Sequence, residues 1–220
     1  MDERIIDLSH VIEHGLVTYK GLPAPVICDF LSREASRGVY APGNEFQIGR
    51  IDMVGNTGTY LDTPFHRYDD GDDLAAVAVS RLAELPAVVV RRDHRDGVVI
   101  DVDAFEGREL RGRAVLVQTG WDAHWNTDAY FAGHPHLTEA AARHLARSGV
   151  ALVGIDSLNI DSTRDGNRPV HTVLLGAGIP IVEHLTGLAG LPDAGFIFSA
   201  LPPKIRGMGT FPVRAIARLR

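Results

Sequence analysis

The sequence is built from short apolar runs, three to five residues long and rich in valine and isoleucine, which glycine and proline residues separate. Runs of this length are typical of β-strands, and those without polar residues predict strands buried on both faces of a sheet. We predict such strands at Ala87–Val90, Val98–Val102, Ala114–Gln118, Ala151–Ile155, Ile179–Val182 and Phe196–Phe198. The alternating segment Glu45–Val54 instead predicts a half-exposed antiparallel strand.

Helical segments are fewer. Thr138–Arg147 is the clearest, because its first residue can cap a helix and the following Ser-Gly pair can end it. Shorter helices are predicted at Asp101–Glu106 and Val170–Leu175. The order strand, helix, strand from residue 114 to residue 155 predicts at least one α/β unit. We therefore expect an α/β protein with a mixed sheet flanked by helices.

Composition excludes several classes of protein. The 22 basic residues are scattered among 28 acidic ones, so no basic surface for nucleic acid is expected. A single cysteine, Cys28, excludes an intrachain disulfide framework and a cysteine-rich zinc site. No apolar run approaches the roughly 18 residues of a membrane span, and no secretory signal is recognised, so we expect no membrane partner and a cytoplasmic location. Ten histidines are many for 220 residues and are a first indication of metal or acid–base chemistry.

The chain shows no internal repeat, no low-complexity segment and no linker-like change of composition. Its length suits one larger domain. We therefore predict a single domain over residues 1–220.

The segment from Gly55 to His66 carries the densest set of polar side chains, and it follows a predicted strand. Glycines and a proline favour an irregular backbone here. Such a segment can present Asn56, Tyr60, Asp62 and His66 to a pocket, or it can be a plain turn between strands.

Two later segments are also candidates. His171 begins a short apolar helix, and Glu183 ends an apolar strand, where a carboxylate is either exposed or buried with a partner or metal. The run Gly154–Asp161 places acidic and hydroxyl side chains after a buried strand, where ligands bind in parallel sheets and where capping residues are also common.

Motifs along nearly the whole chain resemble the cyclase/arylformamidase superfamily, which includes bacterial kynurenine formamidases and isatin hydrolases. Residues 6–10, Ile-Asp-Leu-Ser-His, look like the family's opening strand, and residues 19–23, Tyr-Lys-Gly-Leu-Pro, are similar to its aromatic-Pro-Gly-Asp turn. Residues 56–66 stand where the family has His-x-Gly-Thr-His-x-Asp-x-Pro-x-His. Further matches in the family's order are Thr119-Gly120-Trp121, Tyr130-Phe131, His134-Pro135, Gly154-Ile155-Asp156, His171 to Glu183 and Pro212-Val213-Arg214-Ala215.

The resemblance implies a mixed-sheet, swivelling β/β/α fold, a small-molecule substrate and a homodimer or homotetramer. It also implies roles for individual residues. Asp62, His171 and Glu183 match metal ligands, and His66 matches the histidine that transfers protons. Tyr19 matches an aromatic residue that packs on the substrate, and His10 ends a strand near the pocket.

The sequence departs from the family at two metal ligands, because Asn56 and Tyr60 stand where the family has histidines. An amide oxygen and a phenol of pKa near ~10 are poor substitutes for imidazole. The first metal position is therefore predicted to be lost. Asp62, His171 and Glu183 can still hold one divalent metal, with oxygen ligands favouring Mn²⁺ or Mg²⁺ over Zn²⁺.

Three functions stay open at this point. The first is hydrolysis of a small carbonyl compound, such as an aryl formamide or cyclic amide, with one metal and His66 as general acid and base. The second is a metal-independent cyclase, lyase or isomerase, in which Tyr60 is an acid, Asn56 a hydrogen-bond donor and His66 a base. The third is a non-catalytic small-molecule binder on the same fold.

Overall fold

The computed structural model describes residues 4–219. Thirteen strands and two α-helices are joined by loops and single 3₁₀ turns within this range. In chain order, the strands are β1 (Arg4–Asp7), β2 (Val26–Leu31), β3 (Ile48–Asp52), β4 (Tyr60–Asp62), β5 (Leu85–Arg91), β6 (Val99–Ile100), β7 (Ala114–Gln118), β8 (His136–Leu137), β9 (Leu152–Ile155), β10 (Ile181–Glu183), β11 (Ala194–Leu201), β12 (Thr210–Pro212) and β13 (Arg214–Leu219). The helices are α1 (Glu139–Ser148) and α2 (Pro169–Gly176).

Nine of the strands form one mixed sheet in the order β1-β13-β11-β5-β7-β9-β10-β4-β12. The four neighbours β5, β7, β9 and β10 run parallel, and the strands on either side of them pair antiparallel. The mixed α/β fold expected from the sequence is therefore present. Strands β2 and β3 form a separate antiparallel ribbon, and β6 and β8 a short parallel one.

The central strands are buried on both faces, as their unbroken apolar sequences predict. Val88 and Val90 point into a core that α1 and α2 cover, whereas Ala87 and Val89 point into a second core on the opposite side of the sheet. This alternation follows from the two-residue period of a strand. The site described below lies near one end of this sheet, where β10, β4 and β12 pair.

Local signals predicted the helices well. The Thr138 hydroxyl accepts a hydrogen bond from the Ala141 amide at the start of α1, and Gly149 ends the helix in the left-handed conformation with φ of 70°. The expected helix at Val170–Leu175 is α2, with Pro169 in its first turn.

Two predictions need correction. Residues 98–106 form only the two-residue strand β6 and a 3₁₀ turn at Val102–Ala104, which Asp101 caps, so neither the long strand nor the α-helix is present. The Asp101 carboxylate that accepts from the Val102 amide stops the strand early. The Glu45–Val54 segment does contain an antiparallel strand, β3, but all five of its residues are exposed, because it pairs only with β2.

No helix within residues 4–219 has both the length and the apolar character needed to cross a membrane.

Candidate active site

Strand pairing brings the two carboxylates of the candidate site together. In the antiparallel pair of β4 and β10, Glu183 lies directly opposite Tyr60. Asp62 is two residues further along β4 and therefore shares the face of Tyr60. All three side chains are buried, with exposed fractions of 0%, 1% and 0% for Glu183, Tyr60 and Asp62.

Both oxygens of Glu183 accept hydrogen bonds. The Tyr60 hydroxyl donates to Oε2 at 2.5 Å, and the Ile160 amide donates to Oε1 at 2.7 Å. Burial raises the pKa of Tyr60 well above its ordinary value, so this phenol keeps its proton and is the donor. Burial also raises the pKa of Glu183. Tyr60 thus places a proton donor beside Glu183.

A second carboxylate orients His171 at the start of α2. Asp161 accepts from the amides of Val170 and His171 at 2.7 and 3.0 Å, and its Oδ2 lies 2.6 Å from the Nδ1 of His171. Burial opposes the imidazolium, but the hydrogen bond to Asp161 and the nearby carboxylates of Asp62 and Glu183 outweigh it and raise the pKa of His171 to about 9. Because Nδ1 faces Asp161, the other nitrogen, Nε2, points to the site; it lies 3.5 Å from Asp62 Oδ2 and 3.6 Å from Glu183 Oε1.

Thr210 links Asp62 to His66. The Thr210 hydroxyl donates to Asp62 Oδ1, and it lies 2.8 Å from the Nδ1 of His66. Since a hydroxyl has one proton, it accepts from His66 Nδ1–H, and Nε2 of His66 is left as the free base. Burial alone would raise the pKa of Asp62, but the nearby imidazoles of His171 and His66 and the hydroxyl of Thr210 lower it.

A glycine allows this close arrangement. Strand β12 passes so near the 3₁₀ turn Pro64–His66 that a Cβ on Gly209 would lie 2.3 Å from the His66 amide nitrogen. The Gly209 carbonyl accepts from the Thr63 amide at 2.7 Å and fixes the approach.

The donor set fits a divalent metal. Ligand atoms of Asp62, His66 and His171 lie within 4.8 Å of one another. Asp62 Oδ2 is buried and has no hydrogen-bond partner within the described chain, which is costly for a carboxylate unless a cation binds there. The hydrogen bond from His171 to Asp161 is the outer contact that metal-binding histidines usually make. Donors about 3.5 Å apart can share an ion held at about 2.0–2.2 Å.

Aromatic side chains form one wall next to these residues. The Tyr19 hydroxyl donates to the Leu158 carbonyl at 2.8 Å and accepts from Asn159. His10 stacks on Trp125, with ring centroids 3.9 Å apart. His184, which follows Glu183, lies 5.7 Å from the Tyr19 ring in an edge contact. Tyr19 and His10 therefore both lie in this aromatic wall, and their role in substrate packing stays a prediction.

Asn56 was also predicted to be a site residue, but it takes no part in the contacts described above. It lies half-buried in the loop before β4, and no hydrogen bond within residues 4–219 joins its side chain to the carboxylates. The structure adds three residues that sequence reasoning did not select: Asp161, Arg168 and Thr210. Asp161 carried a signal, since it ends the polar run after β9, whereas Arg168 and Thr210 carried none.

Fold and site together define an enzyme, because a carboxylate–histidine cluster with an unpaired buried oxygen lies beside an aromatic wall on a mixed α/β sheet. Comparison with known proteins names the class. The Cyclase family model matches residues 6–162, so the chain belongs to the cyclase family. Within it, this protein is an amidohydrolase.

Individual relatives agree with that membership. A kynurenine formamidase of Bacillus cereus is 27% identical over 215 residues, covering 97% of this chain and 96% of the relative. One from Polaromonas naphthalenivorans is 29% identical over 180 residues, covering 81% and 77%. A solved structure of a potential metal-dependent hydrolase with cyclase activity is 26% identical, with a TM-score of 0.81 and coverage of 100% and 99%. Isatin hydrolase A from Ralstonia solanacearum, at 23% identity, shares the fold with a TM-score of 0.83 over 99% of this chain and 92% of that one.

Proposed function

We propose that this protein hydrolyses the C–N bond of a small amide, of the aryl formamide or cyclic amide type, with one divalent metal and His66 as general acid and base. The observation that carries the proposal is that the two oxygens of Asp62 have different neighbours. Oδ2 lies near His171, which is also close to Glu183, and Oδ1 accepts from Thr210, which holds His66. The kynurenine formamidase relatives support the choice of bond.

Asp62, His171 and Glu183 would hold the metal, which leaves His66 free to move the proton. A divalent ion bound there polarises a carbonyl and lowers the pKa of water to about 7. Mn²⁺, Zn²⁺ and Mg²⁺ all accept such ligands, and the oxygen-rich set with Glu183 favours Mn²⁺ or Mg²⁺.

His66 would move the proton. Its Nδ1–H is held by Thr210, so Nε2 can accept a proton from the attacking water and return it to the leaving nitrogen. This side chain is 31% exposed, which leaves it within reach of substrate and solvent. Tyr19 and His10 would pack against the organic part of the substrate.

A metal-independent cyclase, lyase or isomerase is the second candidate. The observation that favours it is the Tyr60–Glu183 hydrogen bond, since it shows a protonated phenol inside the site, and such a group can serve as an acid without any metal. In that reaction Tyr60 would be the acid, Asn56 a donor and His66 the base.

One experiment separates the two. Turnover of N-formylkynurenine, isatin and a cyclic imide is measured before and after chelator treatment and re-addition of Mn²⁺ or Zn²⁺, with metal content determined by elemental analysis. The first proposal is supported if hydrolysis is lost on chelation and regained with metal. It also requires that His66→Ala lower the rate by a factor of about 10²–10⁴. Undiminished turnover in the chelated protein refutes it. His144→Ala, on the surface of α1, is the matched control.

We also propose that residues 1–220 act as one domain and assemble as a homodimer or homotetramer in the cytoplasm. Pairing of β1 with β13 supports the single domain, and a lone cysteine fits a reducing compartment. A second copy of the chain would cover the ribbon of β2 and β3, on which every residue except Leu31 is exposed. A hairpin alone is marginally stable in water.

The apolar area supports a second copy as the occupant. Ten of the fourteen exposed large apolar side chains in residues 4–219 lie between Val11 and Ile51. Five of these, Val26, Ile27, Phe30, Ile48 and Ile51, lie on the ribbon itself, where an interface of standard size would take about 800 Å² from each partner. Light scattering should give two or four chain masses for the wild type and one for Phe30→Glu. Val79→Glu, an equally exposed position elsewhere, is the control. A monomeric wild type refutes the proposal.

A further inference from the structure

Arg168 is held in an unusual backbone conformation beside the candidate site. It precedes α2 with φ of 51°, a left-handed conformation that non-glycine residues rarely adopt. It also precedes Pro169, which restricts its backbone further. Strain of this kind persists where the surrounding structure imposes it, and it is frequent at ligand-binding positions.

This conformation turns the guanidinium over His171. Arg168 Nη2 lies 3.0 Å from Nε2 and 3.2 Å from Nδ1 of the imidazole. An atom nearly equidistant from both ring nitrogens lies over the ring face and not along either lone pair. His171 Nδ1 is already engaged with Asp161 in the ring plane, so Arg168 adds a cation above the ring without displacing that bond.

The guanidinium retains unused donors. Its Nε is buried without a hydrogen-bond acceptor, the nearest carboxylate oxygen being Asp161 Oδ2 at 3.7 Å. Its Nη1 makes no hydrogen bond to any part of the chain that the structure describes, and 38% of the side chain is exposed. Arginine is always charged, and an unpaired donor next to a site indicates a missing ligand.

The local charge selects the kind of anion. Asp62, Asp161 and Glu183 are buried around Arg168 and His171, so a doubly charged anion such as phosphate would meet strong repulsion. A single carboxylate carries less charge and matches the planar fork of a guanidinium. Its aryl group would extend toward Tyr19, whose ring borders this cluster.

We propose that Arg168 is an anion-binding residue of the site and takes the carboxylate of an aryl carboxylic acid, as part of the substrate or as the product of amide cleavage. The proposal rests on the proposed function only for the reaction, because hydrolysis of a cyclic aryl amide releases an aryl carboxylic acid, whereas an aryl formamide releases formate and an aryl amine. Binding itself requires neither turnover nor metal.

The test is calorimetric titration of the metal-free protein with benzoate and, separately, with inorganic phosphate. Benzoate should bind the wild type at millimolar or tighter affinity and phosphate at least tenfold more weakly. Arg168→Gln should weaken benzoate binding tenfold or more, and Arg168→Lys by a smaller factor, since lysine retains the charge but not the fork. Arg147→Gln, an exposed arginine in the last turn of α1, should bind as wild type does.

Turnover supplies a second readout. For a substrate that bears a carboxylate, Arg168→Gln should raise KM more than it lowers kcat, whereas KM for the neutral amide analogue should stay unchanged. Equal benzoate binding by wild type and Arg168→Gln, no benzoate binding by the wild type, or equal binding of phosphate would each overturn the proposal. If benzoate binding depends on Arg168 but no amide is hydrolysed, the anion-binding role of Arg168 is supported and the proposed hydrolase function is refuted. Circular dichroism and a melting curve show that each variant is folded.

Discussion

Removal of one hydroxyl tests whether Tyr60 stabilises the charge of Glu183. In Tyr60→Phe the ring stays in a position that is 1% exposed, so packing is nearly unchanged and only the donor is lost. Glu183 Oε2 then retains Asn159 Nδ2, at 3.5 Å, as its remaining donor, which is the limit of a hydrogen bond. The substitution therefore leaves a buried carboxylate oxygen almost unsatisfied.

The expected loss of stability follows from the charge of the acceptor. Hydrogen bonds to charged groups contribute about 1.5–3 kcal/mol, against about 0.5–1.5 kcal/mol for neutral ones. The matched control is Tyr68→Phe, whose hydroxyl donates at 2.8 Å to the uncharged Thr172 carbonyl. Tyr60→Phe should therefore lose about twice as much unfolding free energy as Tyr68→Phe.

Urea unfolding of the chelator-treated proteins measures the difference. With an m-value of about 3 kcal/mol per M, the midpoint should fall by about 0.5–1 M for Tyr60→Phe and by less than about 0.5 M for Tyr68→Phe. Equal shifts would mean that Glu183 is protonated or does not depend on Tyr60. The view of Tyr60 as the donor that replaces a metal ligand would then be wrong.

Three further variants test other parts of the site and fold. Thr210→Val should lower kcat by about tenfold or more, because His66 Nδ1 loses its hydrogen-bond partner. Thr210→Ser keeps the hydroxyl and should retain the wild-type kcat. A Ser variant as slow as the Val variant would contradict the role of Thr210 in holding His66. Gly209→Ala should lower both Tm and kcat, because its Cβ would meet the His66 backbone, and wild-type values for both would show that β12 can move. Burial lowers the pKa of His134 to about 4, so below pH 6.5 the unfolded chain binds a proton that the folded chain does not. His134 alone should therefore lower the stability by up to about 2 kcal/mol from pH 7 to pH 5, and the fall should be smaller by about that amount in His134→Gln, as urea unfolding of both proteins at both pH values would show.

The sequence allowed prediction of those features that neighbouring residues determine. The cap and stop signals of α1 are local, and the unbroken apolar run of β7 requires a buried strand whatever its neighbours are. Asp62 and His66 could be selected because one short motif carries both. Thr210 could not, since it reaches Asp62 from 148 residues away through the pairing of β12 with β4. Tertiary contacts of this kind leave no periodic or spacing signal.

Two substitutions relative to the family pattern change how the charges of the site are balanced. With Tyr60 donating to Glu183, one carboxylate is stabilised by a phenol and a backbone amide, without a cation. Asp62 Oδ2 is the carboxylate oxygen left unpaired, and Arg168 places a permanent positive charge over the ring face of His171. Three buried carboxylates, Asp62, Asp161 and Glu183, then lie around the two basic side chains His171 and Arg168. This balance supports one metal ion in place of two, and it places a guanidinium beside it where a substrate anion can bind.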